Sequence, residues 1–436
     1  MDVSFETSIV VAACLFALLA LGVWVALALI GAGYLALVIY SPAPAGSLLA
    51  TTVWDASWNW ALTALPLFIW MGEILFRTRL SEDMFKGLAP WVAWLPGRLL
   101  HVNIIGCGVM AAVAGSSAVT CATVGRMSMP ELKKRGYSEN MAIGTLAGSG
   151  TLGLLIPPSI MLIVYGIVAQ QSISRLFIAG IVPGIMLISL FMGYVMIWSW
   201  LNPGKTPPND LKMSFMDKVW SSRRLIPVIF LIFGVLGSIY GGFATPTEAA
   251  TIGVVGALIL AGVTGTLSFS TFIDSLLGAT RTSCMIAFIL AGAAFLSIAM
   301  GFTGVPRALA TWVDSFNLSP FGLLIVLTLF YMVLGCFLDG VSMMVLTSSV
   351  VLPMVSSAGF DLLWFGIFMV IVVEMAQITP PVGFNLFVLQ GMTGRNIIQV
   401  TKASIPFFLV MVLGLALIAV FPEIVTGLPR LMLKNF

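Results

Sequence analysis

Apolar runs about as long as a bilayer is thick recur from one end of this chain to the other, and no other feature constrains its fold as much. They occupy residues 3–40, 54–76, 140–169, 176–200, 225–242, 249–266, 278–302, 362–392 and 404–427. A helix of ~20 apolar residues crosses the hydrocarbon core. Of the 436 residues, 60% are hydrophobic and 8% charged, against roughly 25% charged in a soluble domain. The expected fold class is an all-α polytopic membrane protein. A β-barrel is excluded, because its membrane strands are short and alternate strictly. The N-terminal MDVSFETSIVV carries Asp2 and Glu6 where a cleaved signal would be basic, so the first apolar segment is expected to be retained.

Composition also removes whole classes of chemistry. The five cysteines, Cys14, Cys107, Cys121, Cys284 and Cys336, all lie in apolar stretches without metal-ligand spacing. They read as small buried residues. His101 is the only histidine, which argues against a histidine-ligated metal or haem. No nucleic-acid partner is expected; the surroundings are the lipid bilayer.

The charges set a topology. Basic residues cluster at Arg77–Arg98, at Arg126–Arg135 and at Lys205–Arg224, 13 of the 20 in the chain. The positive-inside rule puts all three groups in the cytoplasm. Residues 3–40 then cross twice, with a turn near Leu21–Gly22. Residues 41–53, with Pro42, Pro44 and Gly46, form an external loop. Residues 54–76 cross inward, with Trp54, Trp58 and Trp60 near the outer interface. Residues 81–95 form an amphipathic helix along the inner interface, anchored by Trp91 and Trp94. The run 99–125 begins and ends on the same side, so it is read as a re-entrant hairpin with its tip at Ala114–Thr120. The polar stretch 202–224 is a cytoplasmic linker, and both termini are periplasmic.

Beyond the linker the pattern recurs. A shift of 223 residues puts Pro130 on Pro353, Gly136 on Gly359, Pro157 on Pro380, Pro158 on Pro381 and Pro183 on Pro406; two residues of slippage put Trp91 on Trp312. Each copy, 1–201 and 225–436, has about five crossings. An odd number inverts the second copy in the membrane. The first contains the hairpin 99–125 and a broken helix, 140–169. The second contains a hairpin, 321–353, and a broken helix, 362–392. Paired inverted repeats with broken helices are an architecture of secondary transporters, and the breaks point to the binding site.

The two breaks are GTLGLLIPPS (Gly150–Ser159) and EMAQITPPVGFN (Glu374–Asn385). Each proline removes a backbone donor and clashes with the preceding turn. Gly150 and Gly153 loosen the first helix, and Pro157 and Pro158 complete its break. Freed carbonyls and the negative end of a half-helix suit a small hard cation such as Na⁺. Ser159, Thr379 and Asn385 lie beside the breaks. The tip AGSSAVT offers Ser116, Ser117 and Thr120 among small residues. The same shift pairs Ser116 with Asp339 and Ser117 with Gly340. Asp339 and Glu374 are carboxylates inside apolar runs, where a charge requires a partner; a cap or a buried acceptor role is also open for either. Thr245-Pro246-Thr247-Glu248 reads as a helix start.

GSSAVTCATVG, GTLGLLIPPS, GGFATPTEAA and ITPPVGFNLFV together resemble the large membrane subunit of tripartite ATP-independent periplasmic (TRAP) transporters, over nearly the whole chain. The resemblance implies a bacterial or archaeal inner-membrane Na⁺ symporter with an elevator mechanism, and not an enzyme. It implies two or more coupling Na⁺ ions. One site would join Ser116 and Ser117 to the break containing Gly150, Gly153 and Pro157. The other would join Asp339 and Gly340 to Ala376 and Thr379. Substrate would lie near Ser117, Thr120, Ser159 and Asn385. The implied partners are a periplasmic binding protein that delivers an organic acid and a small four-helix membrane subunit on a separate polypeptide. C4-dicarboxylates, sialic acids and other sugar acids all fit. A stand-alone divalent-anion symporter, a channel and an intramembrane enzyme using Ser116 or Asp339 are the rival readings. The enzyme lacks a matching His or Lys partner.

Overall fold

The computed structural model describes residues 3–78, 80–207, 213–223, 225–305, 318–335, 338–380 and 383–433. Arg79, Pro208, Lys212, Arg224, Arg307, Trp312, Cys336, Pro381, Lys434 and both chain ends lie outside them. The described residues form helices and connecting turns, with no strand among them. Among the described residues, five helices are long and apolar enough to cross a membrane, or up to eight spans if each bent pair counts as one. Other apolar helices are shorter, among them Leu100–Ala114, Pro320–Leu334 and Leu362–Ala376. At 1.5 Å per residue, 15 residues reach only about 22 Å, so each is a partial span.

The helices sort into two packed groups. In the first, the Phe269–Thr303 helix lies against Val25–Tyr40 and Ala64–Phe76, and Pro246–Val263 packs on Ala64–Phe76. Small residues bring these backbones together. A methyl group on Gly292 would stand 2.7 Å from the Ala26 carbonyl oxygen. In the second, Glu139–Gly150 packs against Leu100–Ala114, Ser117–Lys134 and Ile397–Val420. Leu362–Ala376 is enclosed along its length, with every residue from Leu363 to Ala376 buried.

Element boundaries recur at the shift found in the sequence. Ser117–Lys134 and Gly340–Ser357 are both 18-residue helices starting 223 positions apart, and each contains its matched proline, Pro130 or Pro353. Glu139–Gly150 and Leu362–Ala376 start at the same separation.

Three local expectations change. Cys107 and Cys121 are buried as expected, but Cys14 is half-buried and Cys284 exposed. The run 41–53 is not a loop: Ala45–Ser57 is helical and Pro44 occupies its N-cap. Pro42 and Pro44 stand before the helix, where they remove no bond it needs. Gly150 and Gly153 do more than loosen a helix, because both lie where another backbone comes close. The Leu80–Val92 helix forms where an interface helix was expected. Its Trp91 Nε1–H donates to Ser222 Oγ at 2.5 Å, tying it to the Phe215–Ser222 helix of the linker. Thr245 and Glu248 form a capping box with Pro246 in the first turn. The backbone N–H and hydroxyl of Thr245 both bond the Glu248 carboxylate and hold its pKa below the usual value.

Candidate functional site

Both helix breaks form at their prolines. In the first, the chain is helical to Gly150 and again over Leu152–Leu155, then turns extended at Ile156. A helix would give the Gly153 and Leu154 carbonyls donors from residues 157 and 158, and prolines supply none. The Leu154 carbonyl instead accepts from Ser159 Oγ. That hydroxyl in turn accepts from Leu162 N at 3.3 Å, capping Ile160–Val168. Ser159 is fully buried. Its hydroxyl thus helps to close the break, with one acceptor lone pair left over.

The second break follows the same logic. Pro380 supplies no donor for the Ala376 carbonyl, which accepts from Thr379 N at 3.3 Å and Thr379 Oγ1 at 3.0 Å. The Gln377 carbonyl accepts from Asn385 N at 3.2 Å. The backbone crosses itself tightly here. A methyl group on Gly383 would lie 2.7 Å from the Gln377 oxygen and 2.8 Å from the Thr379 oxygen.

Each hairpin tip is seated on a break. Leu100–Ala114 ends at Gly115 in the left-handed region (φ 58°), and Ser116 begins the return limb. A methyl group on Gly153 would lie 2.5 Å from the Ser116 carbonyl oxygen and 2.7 Å from the Ser117 nitrogen; one on Gly150 would lie 2.8 Å from Cys121 Cβ. Only a bare α-carbon admits this contact. In the second half, a methyl group on Gly340 would stand 2.8 Å from Val373 Cγ1, 3.5 Å from Leu154 Cδ1 and 3.6 Å from Gln377 Nε2. Gly335, ending the other limb, lies against Ala376. Ser116 and Ser117 therefore meet the first break at Gly153, and Gly150 meets the return limb at Cys121; Gly340 meets the second broken helix at Val373 and Gln377, and Gly335 meets it at Ala376. Asp339 caps the Gly340–Ser357 helix: Oδ2 accepts from Ser342 N at 3.2 Å, and Oδ1 from Ser342 Oγ.

The remaining candidates differ in how their polar atoms are satisfied. Thr120 Oγ1 and both polar atoms of Asn385 are buried with no protein partner. They sit on Ser117–Lys134 and Phe384–Thr393, which pack against each other. Buried unpaired polar atoms are costly, which makes these positions fit for a polar ligand. Among the described residues no cluster of three His, Cys, Asp or Glu side chains could hold a metal. The donors at the breaks are hydroxyls, carbonyls and one carboxylate, a set suited to an alkali cation.

Sequence reasoning singled out Glu374 without its partner, and missed Arg281. Glu374 Oε1 accepts from Leu154 N at 2.9 Å, joining the two breaks, while Oε2 has no partner. Arg281 lines a cavity of about 1260 Å³ that also reaches Asp339 and Ser342. Each is a lone charge in an apolar run, which was the available signal; only the fold shows what each faces.

Comparison with known proteins gives the same picture. Residues 12–424 match the family described as "Tripartite ATP-independent periplasmic transporter, DctM component". The C4-dicarboxylate TRAP transporter large permease protein of Pseudomonas aeruginosa is 30% identical over 399 residues, covering 91% of this chain and 92% of the relative. The ectoine TRAP transporter large permease protein of Halomonas elongata is 30% identical over 84% of this chain and 85% of the relative. The solved transporter YdaH of Alcanivorax borkumensis shares the fold, with a TM-score of 0.61 at 14% identity over 86% of this chain and 88% of that one. The chain belongs to the DctM family of TRAP transporter large permease subunits, and is a transport component rather than an enzyme.

Proposed function

We propose that this subunit carries an organic acid into the cell on a Na⁺ gradient, receiving it from a periplasmic binding protein and working beside a small four-helix membrane subunit. The observation that carries this reading is the seating of each hairpin tip on a helix break, with Ser116 and Ser117 at Gly153 and Gly340 at Val373 and Gln377. Each pairing collects oxygen donors at the end of a half-helix, where the dipole favours a cation. The first Na⁺ would be held among Ser116, Ser117 and the Gly150–Pro157 break. The second would be held by Asp339, Gly340, Ala376 and Thr379. Bound cations would fix the tips and order the space between them. Ser117, Thr120, Ser159 and Asn385 would then contact the substrate.

The two helix groups suit an elevator, one fixed and one moving with the hairpins. The recurrence of element boundaries at 223 residues supports two inverted repeats. Pairings among charged segments support the topology. Arg395 bonds Glu139, and Arg77 Nη2 donates to the Asp274 carbonyl at 3.2 Å; all four fall on the cytoplasmic side by the charge rule. Relatives are named for C4-dicarboxylates, ectoine and 2,3-diketo-L-gulonate. An acid of that size is the proposed cargo here, taken up across the inner membrane of a bacterium or archaeon with both termini periplasmic.

The test is uptake into proteoliposomes holding both membrane subunits and the loaded binding protein. Uptake should follow the Na⁺ gradient, ignore ATP and stop when the binding protein is omitted. Undiminished uptake with choline in place of Na⁺, at fixed pH, would overturn the symport reading.

A further inference from the structure

A cavity of about 1260 Å³ lies where the Phe269–Thr303 helix and the turn after Ala20 face the second hairpin. Its walls are almost wholly apolar, with Phe16, Val23, Phe288, Phe330 and Val333 among them. Phe16, Phe330 and Val333 are also exposed on the outer surface, at 46%, 43% and 62%. In a membrane those faces meet lipid, so the cavity opens sideways into the hydrocarbon. Arg281 lines it, as do Trp24 and, from the hairpin, Asp339 and Ser342.

Three features define the occupant. A small organic acid would set its polar groups against phenylalanine and valine, so most of this lining is wrong for it. An acyl chain fits the same walls. Helical rise puts Arg281 about 32 Å from Phe302 on one helix, close to the ~30 Å of a hydrocarbon core. Arg281 thus sits at headgroup depth when Phe302 is at the opposite face. Trp24, 75% exposed, lines the same cavity. By the topology proposed above, on which the leaflet assignment alone rests, the Arg281 end is cytoplasmic, where anionic lipids attract basic side chains.

We propose that the cavity is a binding site for an anionic phospholipid of the inner leaflet, its phosphate on Arg281 and one acyl chain between the second hairpin and the Phe269–Thr303 helix. The chain end approaches the hairpin limb that leads to Asp339. The lipid therefore bridges the fixed helix group and a part proposed to move, and the anionic lipid content of the membrane should set how freely that hairpin separates.

Cys284, one turn beyond Arg281 on the same helix, lines the cavity and is a free exposed thiol. It serves as the reporter. Wild-type protein, Arg281→Gln and Arg281→Lys are placed in phosphatidylcholine nanodiscs with rising phosphatidylglycerol, and maleimide modification of Cys284 is followed by peptide mass spectrometry. Phosphatidylglycerol should slow modification several-fold in the wild type and in Arg281→Lys, and should have no effect in Arg281→Gln. Equal rates in wild-type discs with and without phosphatidylglycerol would overturn the proposal. Slowing by millimolar succinate but not by phosphatidylglycerol would overturn it too, and would make the cavity a substrate path. No transport is measured, so failure of the Na⁺ symport reading leaves this test readable.

Discussion

Glu374 Oε1 accepts the Leu154 backbone N–H at 2.9 Å, so a carboxylate from one broken helix holds the backbone of the other. Leu154 adjoins Gly153, which touches Ser116 and Ser117, and Glu374 adjoins Val373, which touches Gly340. A continuous path of contacts thus runs from one hairpin tip to the other. Two cation sites joined this way should be coupled, and coupling between sites is reciprocal. Glu374→Leu leaves a buried N–H without an acceptor, at a cost of about 1–3 kcal/mol; Glu374→Gln keeps an acceptor. The Leu variant should melt lower and activate with Na⁺ at a Hill coefficient falling toward one, while the Gln variant stays nearer the wild type. A lower melting temperature with unchanged Na⁺ cooperativity would reduce Glu374 to a structural brace.

Gly153→Ala tests the seating of the first tip. The added methyl would meet backbone of Ser116 and Ser117 at 2.5–2.7 Å, and backbone there has little room to move. Uptake should fall by about tenfold or more, since misplacing reacting or binding groups by an ångström is that costly. Gly193→Ala is the control. Nothing lies within 4 Å of that position, and replacing a mid-helix glycine should stabilise by roughly 0.5–1 kcal/mol. Equal uptake by the two variants would show that the close approach at Gly153 has no functional weight.

Much of this arrangement was legible because proline and apolar length act locally. The breaks at Pro157–Pro158 and Pro380 follow from missing donors, whatever surrounds them. The tip at Gly115–Ser116 follows from a run that starts and ends among like charges. What was not legible depends on contacts far apart in the chain. Glu374 and Leu154 are 220 positions apart, and no periodicity signals that one bonds the other. Arg281 drew no attention because it lies outside both breaks. Ala45–Ser57 was misread for a local reason: Pro42, Pro44 and Gly46 look like loop punctuation, yet the two prolines precede the helix and Gly46 is tolerated in its first turn. The capping of Ile160–Val168 by Ser159 was not legible either, because a hydroxyl beside a break can bind or cap, and composition does not separate the two.

The Thr245–Glu248 capping box should give a pH signature. Bonds from Thr245 lower the folded pKa of Glu248 below its ordinary 4.5. A depressed carboxyl pKa contributes stability that is full above the unfolded value and is lost as pH falls through the folded one. The melting temperature of the wild type should therefore exceed that of Glu248→Gln at neutral pH. The difference should shrink as the pH is taken below 4.5 and through the lowered value. A difference independent of pH across that window would mean that the charge of Glu248 contributes nothing to the cap.

Asp339 poses the sharpest choice, because the structure gives it a capping role and the proposed function gives it a cation. The two separate cleanly in Asp339→Asn. Asparagine caps a helix about as well as aspartate, so the bond from Ser342 N to the side chain at 3.2 Å should survive and the melting temperature should hardly change. What is lost is the charge. A cation held by five or six oxygens loses most when the charged one is neutralised, so the Na⁺ concentration for half-maximal uptake should rise several-fold. Ser116→Ala removes a neutral hydroxyl from the other site, where Ser116 caps its helix without a side-chain bond, so its folding cost should be small and its effect on Na⁺ milder. Asp339→Ala loses both cap and charge, with about 1 kcal/mol of stability and at least the same Na⁺ shift. If Asp339→Asn leaves the half-maximal Na⁺ concentration unchanged while Asp339→Ala lowers only the melting temperature, Asp339 is a cap and the second cation site lies elsewhere.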